Sequence, residues 1–513
     1  MRDGQFNQTK YVSQTSSVAE DRIPIDYDGV FGNDSGEDED PLVLADYFVE
    51  APTFSKFFSP DRPLEIVSGR KGMGKSALLS YLGYRLREGA SAIDAGALVI
   101  KVTGNDLVGL ADFSGTDQAR LENRWKQAIC KRVSLEIGAN IGMAVGTDAI
   151  QLVEAAELEG FKGKNLVSAL ASRLGGLIGS TTKMATGDSL DLSSGVMPSS
   201  SPTDFQSLLK RYQQGHPCNV WILIDDVDAK FVDTEEQHQR VGAFLSAIRS
   251  LAFNVQGLRI RASIRVDVLT NLRHLEDADK LRQYIKQITW SDEALKKIFT
   301  KKILSYFKRV EPQKYVKWSF GPENYKSIAS LIFGRNFSMY RQADVDPLNV
   351  IMSLAGKRPR WIGQICKLAG NAAGTGLVEQ RHFESVMQDF GQAKLSDLCK
   401  EHAHQFADIS KLTEAFRHSE KELSRFKLIS LIEKRYISKV GSGNVPHVNG
   451  FEFKDAAQLG EFLFKIDFIT GKRVGDRWVA YFQEPMLFES HQNEQNKISW
   501  CVNLSYRGYL HIA

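Results

Sequence analysis

A glycine-rich octapeptide between two apolar runs constrains this chain more than any other feature. Residues 69–76 read Gly-Arg-Lys-Gly-Met-Gly-Lys-Ser, which is the G-x-x-x-x-G-K-[ST] spacing. An apolar run at 64–67 precedes it, and a helix-like run at 77–82 follows it. A strand, a glycine-rich turn and a helix in this order form a loop whose backbone N–H groups cradle phosphates. The spacing therefore predicts an α/β unit that binds a nucleotide through its phosphates.

The positions of this loop have separate expected roles. The N-terminus of the following helix adds unpaired N–H donors and a partial positive charge. Lys75 is expected to reach the β- and γ-phosphates as a catalytic residue, and the Ser76 hydroxyl is expected to bind Mg²⁺. The alternative is a glycine-rich turn without a ligand. The predicted nucleotide-binding set is Gly69, Arg70, Lys71, Gly72, Met73, Gly74, Lys75, Ser76 and Ala77.

An apolar run that ends in two carboxylates supplies a second motif. Residues 219–226 read Asn-Val-Trp-Ile-Leu-Ile-Asp-Asp. Such a run is typical of a buried strand in a parallel sheet, and the carboxyl ends of these strands border the ligand crevice. Asp225 is predicted to hold Mg²⁺, and Asp226 to orient or deprotonate the attacking water. The alternative is that both acids cap the next segment, as Asp228 would also do.

Length and composition indicate a multidomain protein of a reducing compartment. A chain of 513 residues with 42% hydrophobic residues is long enough for two or three domains. The net charge of +3 gives no global argument for nucleic acid. The five cysteines are scattered, without a Cys-x-x-Cys or Cys/His cluster, so neither disulfides nor zinc are expected. The polar N-terminus has no signal-peptide pattern and no apolar segment is long enough to span a membrane, so a cytoplasmic location is expected.

Strand-like and helix-like segments alternate over the first three hundred residues, which predicts a parallel α/β sheet. Besides the two motif strands, we expect strands at 97–102, 258–264 and 284–290. Residues 186–203 are rich in Ser, Gly and Pro and predict a loop. The expected plan is a disordered N-terminus at 1–25, a core at 26–310 with a helical insert at 103–215, a helical lid at 311–375 and a C-terminal winged-helix-like α+β domain at 376–513.

Two arginines are candidates for phosphate contact. Arg265 follows the predicted strand at 258–264, at the edge where the phosphate crevice is expected. Arg360 follows Pro359, which suits the first turn of a helix, so its position at a helix start is expected to be rigid. Arginine suits phosphate because its planar fork donates two parallel hydrogen bonds. The alternative for each is an ordinary surface residue.

Taken in order, these features resemble the STAND and AAA+ types of P-loop ATPase. In that superfamily a Walker A loop and a Walker B strand precede a sensor residue on the fourth strand and a Gly-x-Pro-Arg-like motif in a helical lid. Here residues 69–76, 222–226, Arg265 and 359–360 match in that order. The strings at 31–34 and 47–49 also resemble bacterial P-loop ATPases found in antiphage defence and mobile elements. The resemblance implies ATP and Mg²⁺ as cofactors, with ATP between core and lid.

The chain departs from that pattern in three ways. The acidic pair is Asp-Asp where most AAA+ motors have Asp-Glu, and two residues separate Gly356 from Pro359 instead of one. No arginine finger is distinguished. Its candidates are Arg249, Arg273 and Arg282. An obligate ring motor is therefore not favoured, although a homo-oligomer stays open.

The last part of the chain predicts a different domain. Apolar residues at 459, 462, 463 and 466 recur at helical spacing, and two strand-like runs flank a basic turn at 471–477. Helices followed by a β-hairpin resemble a winged helix, with Lys472, Arg473 and Arg477 on the wing. These residues either contact a DNA backbone or lie on a solvated hairpin that serves protein contact.

Three function classes remain open at this point. The first is a regulatory ATPase in antiphage defence that acts on a partner effector protein. The second is a DNA-associated ATPase, such as a loader or transposition regulator. The third is a nucleotide-binding scaffold with negligible hydrolysis. ATP is favoured over GTP because the chain shows no Asn-Lys-x-Asp guanine signature in the expected place.

Overall fold

The computed structural model describes most of the chain. It covers residues 24–88, 92–162, 204–271, 278–440, 447–448, 451–452, 455–490 and 497–512, apart from positions 112, 114, 116, 229–230, 232–233, 335–336, 340–341, 344, 404, 476 and 482. The predicted disorder at 1–25, except for its last two residues, and the predicted loop at 186–203 lie outside the described residues.

A five-stranded parallel sheet forms the centre of the first half of the chain. Its strand order is β2-β3-β4-β1-β5, so the strand that leads into the glycine-rich loop lies between the fourth and fifth strands. All residues of β1 and β3 are buried, which explains their continuous apolar runs. The strands are β1 Leu64–Gly69, β2 Leu98–Thr103, β3 Val220–Asp225, β4 Leu258–Arg265 and β5 Ile285–Gln287.

The helices around this sheet follow the predicted alternation. Those before β3 are α1 Tyr27–Phe31, α2 Pro41–Tyr47, α3 Ser55–Phe58, α4 Lys75–Arg87, α5 Gly104–Val108, α6 Gln118–Asn140, α7 Thr147–Leu158 and α8 Phe205–Gly215. Those between β3 and β5 are α9 Glu235–Asn254, α10 Val266–Asn271 and α11 Ala278–Leu281. Helix α6 contacts α7, α8 and α9, so the described part of the predicted insert is helical and lies against the core.

Residues 292–402 are mostly helical; the predicted lid at 311–375 lies within them, and their last helix belongs to the predicted C-terminal part at 376–513. Their helices are α12 Asp292–Val310, α13 Pro312–Tyr315, α14 Tyr325–Ala329, α15 Pro347–Leu354, α16 Pro359–Ala373 and α17 Gln380–His402. The predicted helical lid at 311–375 is not entirely helical, because β6 Ser338–Met339 and β7 Gln342–Ala343 form a short antiparallel pair within it. Pro359 occupies the first turn of α16, as predicted.

The C-terminal part is an α+β unit with a three-stranded sheet. Its helices are α18 Ile409–Glu414, α19 Arg425–Ile432, α20 Ser438–Val440, α21 Ala456–Lys465 and α22 Leu504–Leu510. Its strands are β8 His447–Val448, β9 Phe451–Glu452, β10 Ile469–Arg473, β11 Arg477–Val479 and β12 Ser499–Val502, and the sheet order is β11-β10-β12. The predicted turn was too long, because Lys472 and Arg473 belong to strand β10 and pair with Trp478 and Arg477.

One hydrophobic core joins the helical and C-terminal parts. Buried side chains from α1, α12, α16, α17 and the C-terminal sheet belong to a single cluster that runs from Ile25 to Ile512. Two separate clusters pack on the faces of the parallel sheet. The predicted α/β fold class is confirmed, with a P-loop core, a helical region and an α+β C-terminal unit. Among the described residues, no helix is long and apolar enough to cross a membrane.

Candidate functional site

The glycine-rich loop joins β1 to α4 at the carboxyl edge of the sheet. Gly72 and Gly74 have φ angles of +83° and +93°, a left-handed conformation that glycine adopts without strain. The Lys75 ammonium group donates to the carbonyl oxygen of Gly69 at 3.1 Å, which folds this side chain back over the loop. The indole N–H of Trp290, just beyond β5, donates to the Met73 carbonyl at 3.0 Å. The two glycines and these two hydrogen bonds thus fix the conformation of the loop. Lys75, Ser76 and Ala77 form the first turn of α4.

Asp225 ends β3 as a buried carboxylate with one free oxygen. Its Oδ1 atom accepts hydrogen bonds from the Ser263 hydroxyl and, at 3.1 Å, from the N–H of Asp226. Its Oδ2 atom is buried and has no hydrogen-bond partner within the described structure. A buried, unpaired carboxylate oxygen beside a phosphate-binding loop fits a Mg²⁺ ligand or a water on Mg²⁺. The donor set therefore suits the cation that Asp225 and Ser76 were predicted to bind.

Asp226 leaves the strand in an unusual backbone conformation. Its φ angle is +52°, which is uncommon for residues other than glycine and turns the chain sharply after β3. Burial, together with the charge of Asp225, raises the pKa of Asp226. A half-buried carboxylate at this edge of the sheet has the character expected of a group that positions or accepts a proton from water.

Metal ligands at this site are few. No group of three or more His, Cys, Asp or Glu side chains that could hold a metal occurs in the described ranges. Mg²⁺ commonly uses one or two carboxylates and completes its shell with water and phosphate oxygens. A Mg²⁺ site with Asp225 and Ser76 as its protein ligands would therefore be completed by water and by phosphate oxygens of a nucleotide.

Arg265 is the last residue of β4 and lies beside the loop. It pairs in register with Gly69 on β1, as the position after the predicted strand implied. Its guanidinium group donates to the Asp267 carboxylate and to the carbonyl oxygen of Glu401, with NH2 distances of 2.5 and 2.6 Å. In this arrangement protein groups already occupy the donors that were predicted for phosphate.

Asp228 also lies at the site. From the sequence alone, it could not be distinguished from an acid that caps the next segment. Its carboxylate accepts the backbone N–H of Arg265 at 2.6 Å, so it holds the end of β4 against the segment after β3. Burial raises the pKa of Asp228 to about 6, although the nearby charges of Lys75 and Arg265 oppose this shift. Asp228 therefore positions Arg265 relative to Asp225 and Asp226.

Arg360 is placed against the loop by the start of α16. Its backbone N–H donates to the Gly72 carbonyl at 3.3 Å. A Cβ atom added to Gly72 would lie 3.2 Å from the Cβ of Arg360, so this glycine also permits the close approach. The Arg360 Nε atom is buried and has no hydrogen-bond partner among the described residues. The structure thus brings the predicted lid arginine to the loop with an unused donor.

The acidic segment before α2 lies across the mouth of the site. Of its acids, only Asp40 caps α2. Asp34 instead accepts hydrogen bonds from Gln364, at 2.6 Å, and from Lys367, both on α16. A Cβ atom added to Gly36 would lie 2.5 Å from the Cβ of Ala77. The segment therefore spans from α4 to α16, which composition alone could not show.

The C-terminal part also reaches the loop, through its first helix, α17, and through the end of α21 and the turn that leads to β10. The Arg70 guanidinium forms a salt bridge of 2.8 Å with Asp467 and donates to the Lys465 carbonyl at 3.2 Å. The backbone N–H of Lys71 donates to the Glu401 carboxylate at 3.3 Å. The Lys71 side chain contacts Asp397 at 3.3 Å. Two predicted nucleotide-binding residues are thus held by carboxylates more than 300 positions away.

A buried arginine connects these carboxylates. Arg358, whose side chain is 3% exposed, lies 3.7 Å from Glu401 and 3.9 Å from Asp467 and stacks over Trp361. Burial opposes the ionisation of Glu401, but the charges of Arg358, His402 and Arg265 outweigh it and hold the pKa of Glu401 at about 2. We call this group the charged junction; it consists of Arg70, Lys71, Arg265, Arg358, Glu401 and Asp467.

The remaining candidates lie elsewhere. Arg249 lines a cavity of about 380 Å³ that includes Phe253 and Leu281 and no residue of the loop. Arg273 lies outside the described residues, and Arg282 belongs to a short turn before β5. None is distinguished as an arginine finger.

The basic residues of the predicted wing have local acidic partners. Lys472 pairs with Glu422 at 2.5 Å, and Arg473 pairs with Glu484. Arg477 is exposed at the start of β11. The hairpin therefore presents less free positive charge than its sequence suggested.

Comparison with known proteins gives only distant similarities. No protein-family profile and no curated protein sequence matches the chain. The ORC2 protein of Aeropyrum pernix, solved as ADPNP-ADP complexes, is 9% identical over 87% of this chain and 85% of its own, with a TM-score of 0.36. The CDC6P structure from Pyrobaculum aerophilum is 11% identical over 87% of this chain and 98% of its own, with a TM-score of 0.29. Because both TM-scores are below 0.5, neither likeness supports a conclusion about this chain.

Proposed function

We propose that this protein is a Mg²⁺-dependent ATP-binding and ATP-hydrolysing switch of the AAA+ or STAND type. The observation that carries the proposal is that the loop with the G-x-x-x-x-G-K-[ST] spacing lies at the same edge of the sheet as Asp225 and Asp226 and is contacted by both Arg360 and the C-terminal part. A loop of this kind binds phosphates through its backbone N–H groups and Lys75. Contacts from two other regions give it a route to affect the rest of the chain.

Different residues of the site serve nucleotide binding and nucleotide hydrolysis. The loop N–H groups and Lys75 hold the phosphates, and Asp225 with Ser76 would hold Mg²⁺, which would neutralise negative charge on the phosphates. Asp226 orients or deprotonates the attacking water. Arg360, whose Nε atom is unused, closes onto the γ-phosphate from α16. Nucleotide binding then stabilises a closed arrangement of lid and core, and release reopens it.

The biological role that fits this switch best is regulation of a partner protein in the cytoplasm, within bacterial antiphage defence. The residues at 31–34 and 47–49 carry the resemblance that supports the defence context. The acidic partners of Lys472 and Arg473 favour a protein-directed domain over a DNA contact. A DNA-associated ATPase that uses the winged-helix-like hairpin is the second candidate, with the exposed Arg477 as its cation for the DNA backbone. A homo-oligomer is compatible with either role.

Nucleotide binding and turnover test this proposal in two steps. Lys75→Ala is expected to abolish ATP binding because it removes the side chain that neutralises the phosphates. Asp226→Ala is expected to retain binding and to lower the turnover rate by about 10²–10⁴-fold, the range for a lost general base. Equilibrium binding of labelled ATP and release of inorganic phosphate measure the two effects.

A carboxylate outside the site provides the control. Asp148→Ala removes a partly exposed acid of α7 that pairs with Arg211 of α8, and it should change neither quantity. Normal hydrolysis by Asp226→Ala would show that the catalytic assignment is wrong. Equal ATP binding by Lys75→Ala and the unsubstituted chain would overturn the proposed function itself. Binding without any turnover would favour a nucleotide-binding scaffold.

A further inference from the structure

Glu401 occupies donors that a nucleotide would need at the γ-phosphate end of the loop. Its carboxylate accepts the backbone N–H of Lys71, and backbone N–H groups of such loops are the donors that face phosphate. Its carbonyl oxygen accepts from the Arg265 guanidinium at 2.6 Å. Arg265 is the residue that we expect at the γ-phosphate. A single residue of α17 thus competes at two points for the same end of the site.

The charge of Glu401 adds to this competition. The residue is 5% exposed, so water does little to screen its carboxylate from a phosphate on the loop. Arg358 lies 3.7 Å from Glu401 and 3.9 Å from Asp467, and Asp467 also holds Arg70. As long as the C-terminal part lies against the loop, a fixed negative charge therefore stands where a third phosphate would add further negative charge.

We propose that Glu401 is a specificity-determining residue, which makes the docked C-terminal part prefer a nucleoside diphosphate over a nucleoside triphosphate. The inference rests on the proposed function, since it concerns the same site. A diphosphate leaves the donors of Lys71 and Arg265 with Glu401. A triphosphate competes for both donors and is repelled by the carboxylate, so it must displace the contact. By linkage, undocking of the C-terminal part raises the affinity for the triphosphate by the same factor.

The contact geometry suggests a variant that changes charge and little else. Glu401→Gln keeps the shape of the side chain and an oxygen that accepts the Lys71 N–H, but it removes the negative charge. Glu420→Gln is the matched control, because Glu420 lies in the same C-terminal part and forms an exposed ion pair with Lys427. Asp467→Asn is a second variant. Its position has a φ angle of +68°, which asparagine also adopts, and it releases Arg70 from its partner.

Isothermal titration calorimetry of the full chain with Mg²⁺ and either ADP or the non-hydrolysable analogue AMPPNP tests the inference. The unsubstituted chain is expected to bind ADP more tightly. In Glu401→Gln the ratio of the two dissociation constants is expected to shift toward AMPPNP by about tenfold, within the usual range for coupled sites. Asp467→Asn is expected to shift it in the same direction by loosening the same contact, and Glu420→Gln is expected to leave it unchanged.

The outcomes separate this inference from the proposed function. Both nucleotides could bind in a Lys75-dependent way with the same ratio of dissociation constants in all four proteins. Glu401 then does not discriminate between a diphosphate and a triphosphate, and the proposed function stands. If the unsubstituted chain binds neither nucleotide, the proposed function fails and the inference fails with it. Should Glu401→Gln unfold, as circular dichroism would show, an unchanged ratio in Asp467→Asn decides against the inference.

Discussion

Charged residues of the C-terminal part form ion pairs in two places, and the surroundings of these pairs differ. At the charged junction, Arg358 and Glu401 are buried, and the contacts of Arg70 and Lys71 reach carboxylates that are 326 to 397 positions away. At the hairpin, Lys472 and Arg473 are paired with acids only 50 and 11 positions away. Ion pairs that are buried and link distant segments depend on the fold, whereas local exposed pairs depend on it much less.

This difference indicates which face of the C-terminal part responds to the ligand. The junction holds Arg70 and Lys71, so a phosphate on the loop changes the charge next to Glu401 and Asp467 directly. The hairpin shares no contact with the loop among the described hydrogen bonds and ion pairs. We therefore expect substitutions at the junction to alter both stability and nucleotide response, and substitutions at the hairpin to alter neither.

The largest stability effect is expected for Glu401→Gln at neutral pH. The pKa of Glu401 is lowered from its usual 4.5 to about 2, so its ionised form stabilises the folded state. A depressed carboxylate pKa contributes stability above pH 4.5, and this contribution disappears as the pH falls toward 2. The variant should lose about 3 kcal/mol of unfolding free energy at pH 7, and the difference should shrink at pH 3. Urea unfolding of both proteins at the two pH values measures this.

The control for that comparison is an exposed acid in the same part of the chain. Glu420→Gln should change the unfolding free energy by less than about 0.5 kcal/mol at either pH. A loss in Glu401→Gln that does not depend on pH would show that shape, not charge, stabilises the junction.

A smaller loss of unfolding free energy is expected at Asp467, where the charged junction is partly exposed. Asp467→Asn should lower the unfolding free energy by about 1 kcal/mol, since the salt bridge to Arg70 is lost and the left-handed backbone is retained. Asp467→Ala should cost about 1 kcal/mol more, because alanine is strained at a φ angle of +68°. Thermal unfolding of the two variants side by side separates the charge from the backbone. Equal losses would mean that the conformation of Asp467 carries no strain.

The smallest effect on ATP turnover is expected for substitutions at the hairpin. The double variant Arg473→Ala and Arg477→Ala should leave ATP turnover and its response to double-stranded DNA unchanged, because these residues do not contact the site. Phosphate release at two salt concentrations, with and without DNA, measures this. DNA-stimulated turnover that disappears in the double variant and weakens with salt would establish the DNA-associated role instead.

Features with a local signature were predictable from the sequence. The loop, the Asp-Asp strand, the position of Arg265 at the end of β4 and Pro359 at the start of α16 all follow from spacing or from residue type within a few positions. The structure has each of them within one or two residues of the predicted bounds. Their chemical roles remain predictions.

Features that depend on distant partners were not predictable. Glu401 ends an ordinary charged helix, and Asp467 follows another, so neither has a pattern that distinguishes it from a surface acid. Their role depends on contacts with Arg70 and Lys71, which lie near them only in the folded chain. The bridging role of Gly36 was missed for the same reason, because its close approach to Ala77 involves a different element.

Hydrogen–deuterium exchange of the full chain, with and without ADP or AMPPNP, tests most directly whether the loop and the C-terminal part respond to nucleotide together. In the unsubstituted chain, the peptides that cover 69–76, 397–402 and 465–467 should all change protection, and AMPPNP should expose the last two more than ADP does. None should change in Lys75→Ala. Protection that changes at the loop and stays constant at 397–402 and 465–467 would contradict coupling through the charged junction.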